Sequence, residues 1–249
     1  MRNLIDLTGK RIMITGASSG IGRATAVMAA SLGASVVVCD RNETQLKETL
    51  SLLDHSNQHI AICFDVTDTD KYDEVFSKAT SDGKLDGLVH CAGIAKVTPL
   101  RMIKVETISE IMDINFTSFI MLTAYFSKKK YSLGGSVVGI SAGNSHVPQK
   151  CMTAYVASKA ALEASVKNMA LELAPLGIRI NCVVPGAVDT PMAGAVDKET
   201  LERIQQNHLL GMMSPESIAE FIMFLLSSAS SAVTGRAIWA DGGMLGQTV

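Results

Sequence analysis

A tyrosine and a lysine stand four residues apart in the segment TAYVASKAALE, residues 153–163. In an α-helix of 3.6 residues per turn, Tyr155 and Lys159 lie one above the other on the same face. A nearby ammonium favours the phenolate, so this spacing predicts a lowered pKa for Tyr155 and a group that exchanges a proton near neutral pH. Taken alone, the same spacing is more often an amphipathic helix with a solvated lysine, and the other motifs must decide.

A glycine-rich segment, TGASSGIG at residues 15–22, follows an apolar run and opens a helical pattern. Gly16 allows a tight turn, Gly20 lets the backbone approach a pyrophosphate, and Gly22 permits close packing of the helix on the strand. The free N–H groups of a helix N-terminus favour an anion. We therefore expect a dinucleotide to bind here, at Gly16, Ser18, Ser19, Gly20, Ile21 and Gly22.

An acidic residue, Asp40, follows the apolar run SVVVC, 18 residues beyond Gly22. A carboxylate there accepts hydrogen bonds from the adenosine ribose hydroxyls and repels a 2′-phosphate, so the expected cofactor is NAD. The neighbouring Arg41 could instead attract a 2′-phosphate, which leaves NADP open, although a solvated loop charge is the commoner role. Ser19 is neutral where a basic residue would have favoured NADP.

Short apolar runs alternate with helical patterns along the chain. Strands are expected at 11–15, 35–39, 60–64, 87–91, 136–140, 179–184 and 236–240, and helices at 20–32, 43–53, 105–127, 153–174 and 215–227. Apolar strands separated by helices predict a seven-stranded parallel sheet with helices on both faces, an α/β doubly wound Rossmann fold. No linker breaks the alternation, so residues 1–249 are expected to form a single domain, with 185–215 as the substrate loop.

Composition excludes several classes of protein. The chain has 22 basic and 24 acidic residues, which does not indicate a nucleic-acid surface. No apolar stretch approaches the roughly 18 residues of a membrane span, and the first residues do not resemble a secretory signal, so we expect a cytoplasmic protein. The five cysteines are scattered without the spacing of a disulfide framework or a zinc site, and no metal is expected.

The order of these motifs resembles the short-chain dehydrogenase/reductase family, in its short single-domain form with TGxxxGxG and YxxxK. Further matches cover nearly the whole chain: Asp65-Val66, CAG at 91–93, Asn115 in MDINF, RIN at 179–181, PGAVDTPM at 185–192 and TGRAIWADGG at 234–243. The resemblance implies an oxidoreductase that transfers a hydride between NAD(H) and a secondary alcohol or ketone. It also implies a homotetramer, or a dimer, built on the helices around 105–127 and 153–174.

The resemblance further implies roles for individual residues. Tyr155 would be the general acid/base, Lys159 would bind the nicotinamide ribose and lower the pKa of Tyr155, and Asn115 would order a water in a proton relay. The implied cofactor contacts are Asp65 and Val66 at the adenine, Ala92 and Gly93 at the middle of the cofactor, Val188 and Thr190 at the carboxamide, and Pro185 and Gly186 in the same motif.

Two positions depart from the family pattern. His90 and Cys91 stand where the family usually has asparagines, and we expect His90 to pack within a strand rather than to catalyse. The family also places a serine thirteen residues before the tyrosine, where this chain has Ala142. Ser141 is the expected substitute, because a one-residue bulge at the strand's end would bring its hydroxyl back to the site. Ser145 is a second hydroxyl on the same loop.

Other functions stay open beside an NAD-dependent alcohol dehydrogenase. A 3-oxoacyl-thioester reductase of the acyl-carrier-protein type, using NADPH, also resembles the pattern, although Asp40 disfavours it. Ala142 leaves room for a protein that binds a dinucleotide without catalysis. An epimerase or dehydratase shares YxxxK but usually has a longer C-terminal half and a different glycine spacing. Sugar, polyol, steroid and acyl substrates are all compatible with the sequence.

Overall fold

The computed structural model describes residues 5–54, 57–192 and 206–244. Within these residues seven strands form one parallel sheet in the order β3-β2-β1-β4-β5-β6-β7. The strands are β1 (Arg11–Thr15), β2 (Ser35–Asp40), β3 (Ile60–Cys63), β4 (Leu85–His90), β5 (Ser132–Ile140), β6 (Ile178–Pro185) and β7 (Arg236–Ala240). The predicted doubly wound Rossmann fold is confirmed. The strand order reverses between β1 and β4, which is where ligands bind in sheets of this kind.

Helices connect the strands. Apart from shorter turns, those of the described residues are α1 (Gly20–Ser31), α2 (Glu43–Ser51), α3 (Tyr72–Ala79), α4 (Val105–Met112), α5 (Ser118–Phe126), α6 (Thr153–Leu173) and α7 (Pro215–Leu226). The helix predicted at 105–127 is interrupted, because Asp113–Thr117 forms a π-helical turn between α4 and α5. Such turns insert an extra residue into a helix and often occur at functional sites.

The side chains of each central strand alternate between two buried clusters. On β1, Met13 packs in the cluster that includes α3, α5 and α6, whereas Ile12 and Ile14 pack in the cluster that includes α1, α2 and α7. This alternation follows from the two-residue period of a strand. Both faces of the sheet are therefore covered, and the edge formed by the strands' carboxyl ends stays open for a site.

Two predictions about the chain, the substrate loop and the single domain, are not tested by the described residues. Residues 193–205, in the middle of the predicted substrate loop, are outside the described residues, and the single domain over 1–249 stays a prediction. Along the residues that the structure does describe, no helix is both long and apolar enough to cross a membrane.

Candidate active site

A cavity of about 460 Å³ lies among the loops that follow the carboxyl ends of the strands. Every residue predicted to bind the cofactor lines it: Gly16, Ser18, Ser19, Gly20, Ile21, Gly22, Asp40, Arg41, Asp65, Val66, Ala92, Gly93, Tyr155, Lys159, Pro185, Gly186, Val188 and Thr190. Ser141 lines it too. Asn115 differs from the others, because its side chain is fully buried behind the cavity wall.

The glycine loop requires glycine for steric reasons. Gly16 has a positive φ of 67°, and a Cβ on it would lie 2.5 Å from the backbone nitrogen of Ala92. A Cβ on Gly22 would lie 2.1 Å from the carbonyl oxygen of Gly16. Helix α1 begins at Gly20, and Ser19 makes no side-chain capping bond to its first turn. The N–H groups of that turn are thus suited to bind an anion such as a pyrophosphate.

The carboxylate of Asp40 is held at the end of β2 by backbone donors. The N–H of Asn42 donates to Oδ1 over 2.9 Å, and the N–H of Ser18 donates to Oδ2 over 3.4 Å. Each oxygen keeps a further lone pair that a ribose hydroxyl can use. Arg41 extends toward Asp65, with 3.9 Å between its Nη1 and the Oδ2 of that carboxylate, and its side chain is mostly exposed. These residues fit the adenosine half of a dinucleotide.

Tyr155 and Lys159 meet in the cavity as the helix spacing predicts, but the pKa of the tyrosine does not follow the prediction. The Lys159 Nζ atom lies 5.8 Å from the centre of the Tyr155 ring and donates to the carbonyl oxygen of Ile140 over 2.7 Å. Burial raises the pKa of Tyr155 to about 12. The expected lowering is therefore wrong for the protein's own residues, because removal from water disfavours the phenolate. Burial also lowers the pKa of Lys159 to about 8.

Asn115 lies in the π-helical turn and fixes the backbone of the loop after β4. Its Oδ1 accepts from the N–H of Ile94 over 2.8 Å, and its Nδ2 donates to the carbonyl of Ile94 over 3.0 Å. The same Nδ2 donates to the hydroxyl of Ser158 over 2.9 Å, which links the turn to helix α6. Both amide hydrogens are thus used, and one lone pair of Oδ1 is left for a further donor.

The structure gives the hydroxyl of Ser141 a partner away from the substrate. Ser141 is buried, and its Oγ donates to Oε1 of Glu163 over 2.5 Å. The Oγ of Ser145, the second candidate, lies 2.6 Å from the same oxygen and 2.6 Å from the carbonyl oxygen of Ala142. His146 completes the cluster through its Nε2, 2.7 Å from Oε2 of Glu163. The predicted role of Ser141 as the substitute for the serine missing at Ala142 is thus disfavoured, because its proton is directed to a buried carboxylate on α6.

His90 packs within strand β4, as expected. Its Nδ1 lies 2.9 Å from the hydroxyl of Thr15 on β1, and its Nε2 lies 3.2 Å from the hydroxyl of Ser118 on α5. Burial lowers the pKa of His90 to about 3, so the ring is neutral. His90 therefore connects the strand before the glycine loop to the helix after the π-helical turn and does not face the cavity.

Several further residues line the cavity that no sequence motif indicated. They are the apolar residues Ile94, Ala95, Val97 and Met152 and the two amides Asn144 and Gln149, and Met192 of the predicted substrate loop lines the cavity as well. A signal was present, because 94–97 and 144 follow the carboxyl ends of β4 and β5, the edge where such sheets bind ligands. Of the cationic residues in the described part of the chain, Arg41 and Lys159 line the cavity.

Known proteins are similar to this chain over nearly its whole length, including the residues of the cavity. A family model described as enoyl-(acyl carrier protein) reductase matches residues 16–245. The chain is 36% identical over 246 residues to the 3-oxoacyl-(acyl-carrier-protein) reductase of Rickettsia felis, an alignment that covers 97% of this chain and 99% of that protein. It is 33% identical over 235 residues to cis-4-hydroxycyclohexanecarboxylate dehydrogenase of Sinomonas cyclohexanicum, which covers 93% and 94% of the two chains.

Solved structures also resemble this chain over nearly its whole length. A 7α-hydroxysteroid dehydrogenase in complex with NADH and 7-oxoglycochenodeoxycholic acid has a TM-score of 0.92 and 30% identity, and all of both chains is covered. A putative short-chain alcohol dehydrogenase from Sinorhizobium meliloti has a TM-score of 0.91 and 30% identity over 96% of this chain and 98% of the other. Together with the glycine loop and the Tyr155 and Lys159 pair, these matches establish that the chain belongs to the short-chain dehydrogenase/reductase family of NAD(P)-dependent oxidoreductases.

Proposed function

We propose that this chain is an NAD-dependent oxidoreductase that interconverts a secondary alcohol and its ketone, with Tyr155 as the general acid/base. One observation carries the proposal: Tyr155 and Lys159 line the same cavity as the glycine loop and Asp40. The groups suited to move a proton therefore share one space with the groups suited to hold a dinucleotide. A small substrate that enters this cavity meets both.

The cofactor would be held along the cavity by the residues already described. The glycine loop and the first turn of α1 suit the pyrophosphate, and Asp40 suits the adenosine ribose. Asp65 and Val66 are assigned to the adenine, Ala92 and Gly93 to the middle of the cofactor, and Val188 and Thr190 to the carboxamide. When bound, the nicotinamide supplies or accepts a hydride at its C4, which leaves the protein to orient the substrate and move one proton.

Tyr155 is the group that moves this proton. With a pKa of about 12 its phenol is protonated at neutral pH and is suited to donate to the oxygen of a ketone that is being reduced. In the oxidation the phenol would first pass its own proton to the relay water, and the phenolate, stabilised by the positive charge of Lys159, would then accept the proton of the alcohol. Asn115 would hold a relay water through the one lone pair of Oδ1 that the backbone of Ile94 leaves unused.

The test combines cofactor binding with a screen for turnover. Intrinsic or NADH fluorescence is titrated with NADH and NADPH in parallel, and secondary alcohols and ketones are then screened by absorbance with the tighter cofactor. We expect NADH to bind more tightly and at least one ketone to be reduced. A Tyr155→Phe variant should bind NADH but lose turnover by at least about a hundredfold. A variant as active as the parent would refute the proposal.

The second candidate function is a 3-oxoacyl-thioester reductase that uses NADPH. It is favoured by the 3-oxoacyl-(acyl-carrier-protein) reductases among the relatives, for example those of Rickettsia felis and Thermotoga maritima. The carboxylate of Asp40 at the ribose position weighs against it, because it would repel a 2′-phosphate. Reduction of a 3-oxoacyl thioester with NADPH at a higher kcat/KM than with NADH would favour this candidate over the first.

A binding protein without catalysis is a third reading, which Ala142 supports. It predicts that NADH fluorescence responds to the protein while no carbonyl compound consumes the NADH. The cavity is also lined by the apolar side chains of Ile94, Val97 and Met152, which have no assigned cofactor contact, so the screen should emphasise apolar cyclic and aliphatic ketones.

We also propose that the protein assembles as a homotetramer, or a dimer, on the helices around 105–127, which are α4 and α5, and around 153–174, which is α6. Val105 and Ile108 on α4 and Leu171 on α6 are exposed apolar side chains that an interface would cover. Light scattering of the parent and of a Val105→Glu, Ile108→Glu double variant should give a higher mass for the parent. A monomeric parent would refute the assembly.

A further inference from the structure

We infer that the side chain of Asn144 donates the second hydrogen bond to the substrate oxygen. It would take the role of the serine that the family has where this chain has Ala142, and this inference rests on the proposed function. The reacting oxygen gains negative charge during reduction, and a second donor beside the Tyr155 hydroxyl stabilises that charge. The polar side chains that could donate this bond lie in the loop after β5, residues 141–146.

The two hydroxyls of the loop have other acceptors. Ser141 donates to Oε1 of Glu163, a residue that is only 8% exposed. The Oγ of Ser145 lies 2.6 Å from the same Oε1 and 2.6 Å from the carbonyl oxygen of Ala142, so its hydrogen is used by one of these two acceptors. A hydroxyl carries one hydrogen, so neither serine has a second one for a substrate. Turning the hydroxyl of Ser141 away would leave the buried carboxylate short of a donor, which is costly.

Asn144 stands at the junction of two cavities. Asn144, Gln149, Ala142 and Tyr155 line the main cavity and also a smaller one of about 160 Å³ beside it. Tyr155, Ala142 and Asn144 therefore border the same space in both cavities. A substrate oxygen held there by the Tyr155 hydroxyl would share that space with the amide of Asn144, and Ala142 offers it no hydrogen-bond donor in its side chain.

The amide of Asn144 has a hydrogen to give. Its Nδ2 donates to Oε1 of Gln149 over 2.7 Å. A primary amide carries two hydrogens, so this bond uses one and orients the other. Gln149 is thus a positioning residue that holds the amide of Asn144.

The loop that carries Asn144 is hydrogen-bonded to helix α6 through Glu163. Asn144 lies in the short helical turn Gly143–Ser145, and the residues on either side of it reach Glu163 through Ser141, Ser145 and His146. Glu163 lies one turn of α6 beyond Lys159. The same helix therefore positions both Tyr155 and the backbone of the amide donor.

The test measures kcat, KM and NADH binding in a set of variants, with the best ketone found in the screen. Asn144→Ala should lower kcat by at least about tenfold with little change in KM or in the Kd for NADH, because the bond strengthens in the transition state. Asn144→Asp should be slower still, because a carboxylate cannot donate and repels the developing oxyanion. Gln149→Ala should lower kcat less, and Lys150→Ala, an exposed neighbour, should leave it unchanged.

A serine introduced at position 142 distinguishes a hydrogen-bond donor at Asn144 from a residue that only maintains the loop. In the double variant Ala142→Ser, Asn144→Ala, the new hydroxyl should recover most of the lost kcat. A kcat of Asn144→Ala within twofold of the parent, or a loss that Ala142→Ser does not recover, would overturn the inference. If Tyr155→Phe is inactive in the same experiment, the proposed function is supported whatever the result for Asn144→Ala. If Tyr155→Phe is fully active, both the proposed function and this inference are refuted.

Discussion

The ammonium of Lys159 donates a 2.7 Å hydrogen bond to the carbonyl oxygen of Ile140, which joins the middle of helix α6 to the carboxyl end of strand β5. The bond holds a buried cation at a defined point of the cavity, close to the ring of Tyr155. Ile140 directly precedes Ser141 and Ala142, so the same contact also fixes the start of the loop that follows β5 and carries Asn144.

Removal of this ammonium should abolish most of the turnover. Lys159→Met keeps the apolar stem but lacks the charge that stabilises the Tyr155 phenolate, so kcat is expected to fall by about a hundredfold or more. NADH binding, measured by fluorescence, should weaken as well. Lys167→Met, an exposed position on the same helix, serves as the matched control and should retain parental kcat. Equal rates for the two variants would contradict the assignment of Lys159.

The same lysine should make stability depend on pH. Burial lowers the pKa of Lys159 from 10.5 to about 8, so between these values the unfolded chain carries a proton that the folded chain has lost. Stability rises with pH where the unfolded state binds more protons. The free energy of unfolding of the parent relative to Lys159→Met should therefore increase by roughly 3 kcal/mol across this window. Urea titrations at several pH values measure it, and a constant difference would argue against the burial of a charged lysine.

The carboxylate of Asp40 should decide between the two dinucleotides. Asp40→Ser removes the charge that repels a 2′-phosphate, while Arg41 remains to attract one. We expect the ratio of the Kd for NADPH to that for NADH to fall by at least about tenfold, as measured by fluorescence titration. Asp70→Ser, an exposed acid outside the cavity, controls for net charge. An unchanged ratio in Asp40→Ser would show that this carboxylate does not face the ribose.

Gly22 should not tolerate even one methyl group. Alanine normally stabilises a helix relative to glycine by about 1 kcal/mol. Here the added Cβ would lie 2.1 Å from the carbonyl oxygen of Gly16, so Gly22→Ala should lower the Tm and weaken NADH binding. Thermal unfolding and fluorescence titration measure these effects, with Ser31→Ala at the exposed end of the same helix as the control. A raised Tm in Gly22→Ala would contradict the packing of the glycine loop.

Glu163 should be needed as a carboxylate and not only as a hydrogen-bonding group. Its two oxygens accept from Ser141, Ser145 and His146, and an amide would present hydrogens where acceptors are required. Glu163→Gln is expected to destabilise the fold by about 1–3 kcal/mol and to speed hydrogen exchange in residues 141–146. The exposed Glu172→Gln on the same helix should do neither. Parental protection of that loop in Glu163→Gln would rule out the carboxylate as its anchor.

The amino-acid sequence alone determined the sheet, the glycine loop and the position of Asp40. These features depend on local periodicity and on one rule of parallel sheets, that the carboxyl ends of the strands meet at one edge, so a glycine after β1 and an acid after β2 had to come together. The spacing of Tyr155 and Lys159 on one helical face was likewise a local property.

Tertiary structure alone decided the protonation of the site and the direction of its side chains. The pKa of Tyr155 rises because neighbouring elements remove water from it, and the sequence around the tyrosine contains no measure of that burial. Ser141 was expected to face the substrate, but it donates to Glu163, which is 22 residues away in the chain and is brought close by the packing of α6 against β6 and against the turn that follows β5. Hydrogen bonds between distant segments depend on which side chains the fold buries together, and a pattern read along one segment does not contain that information.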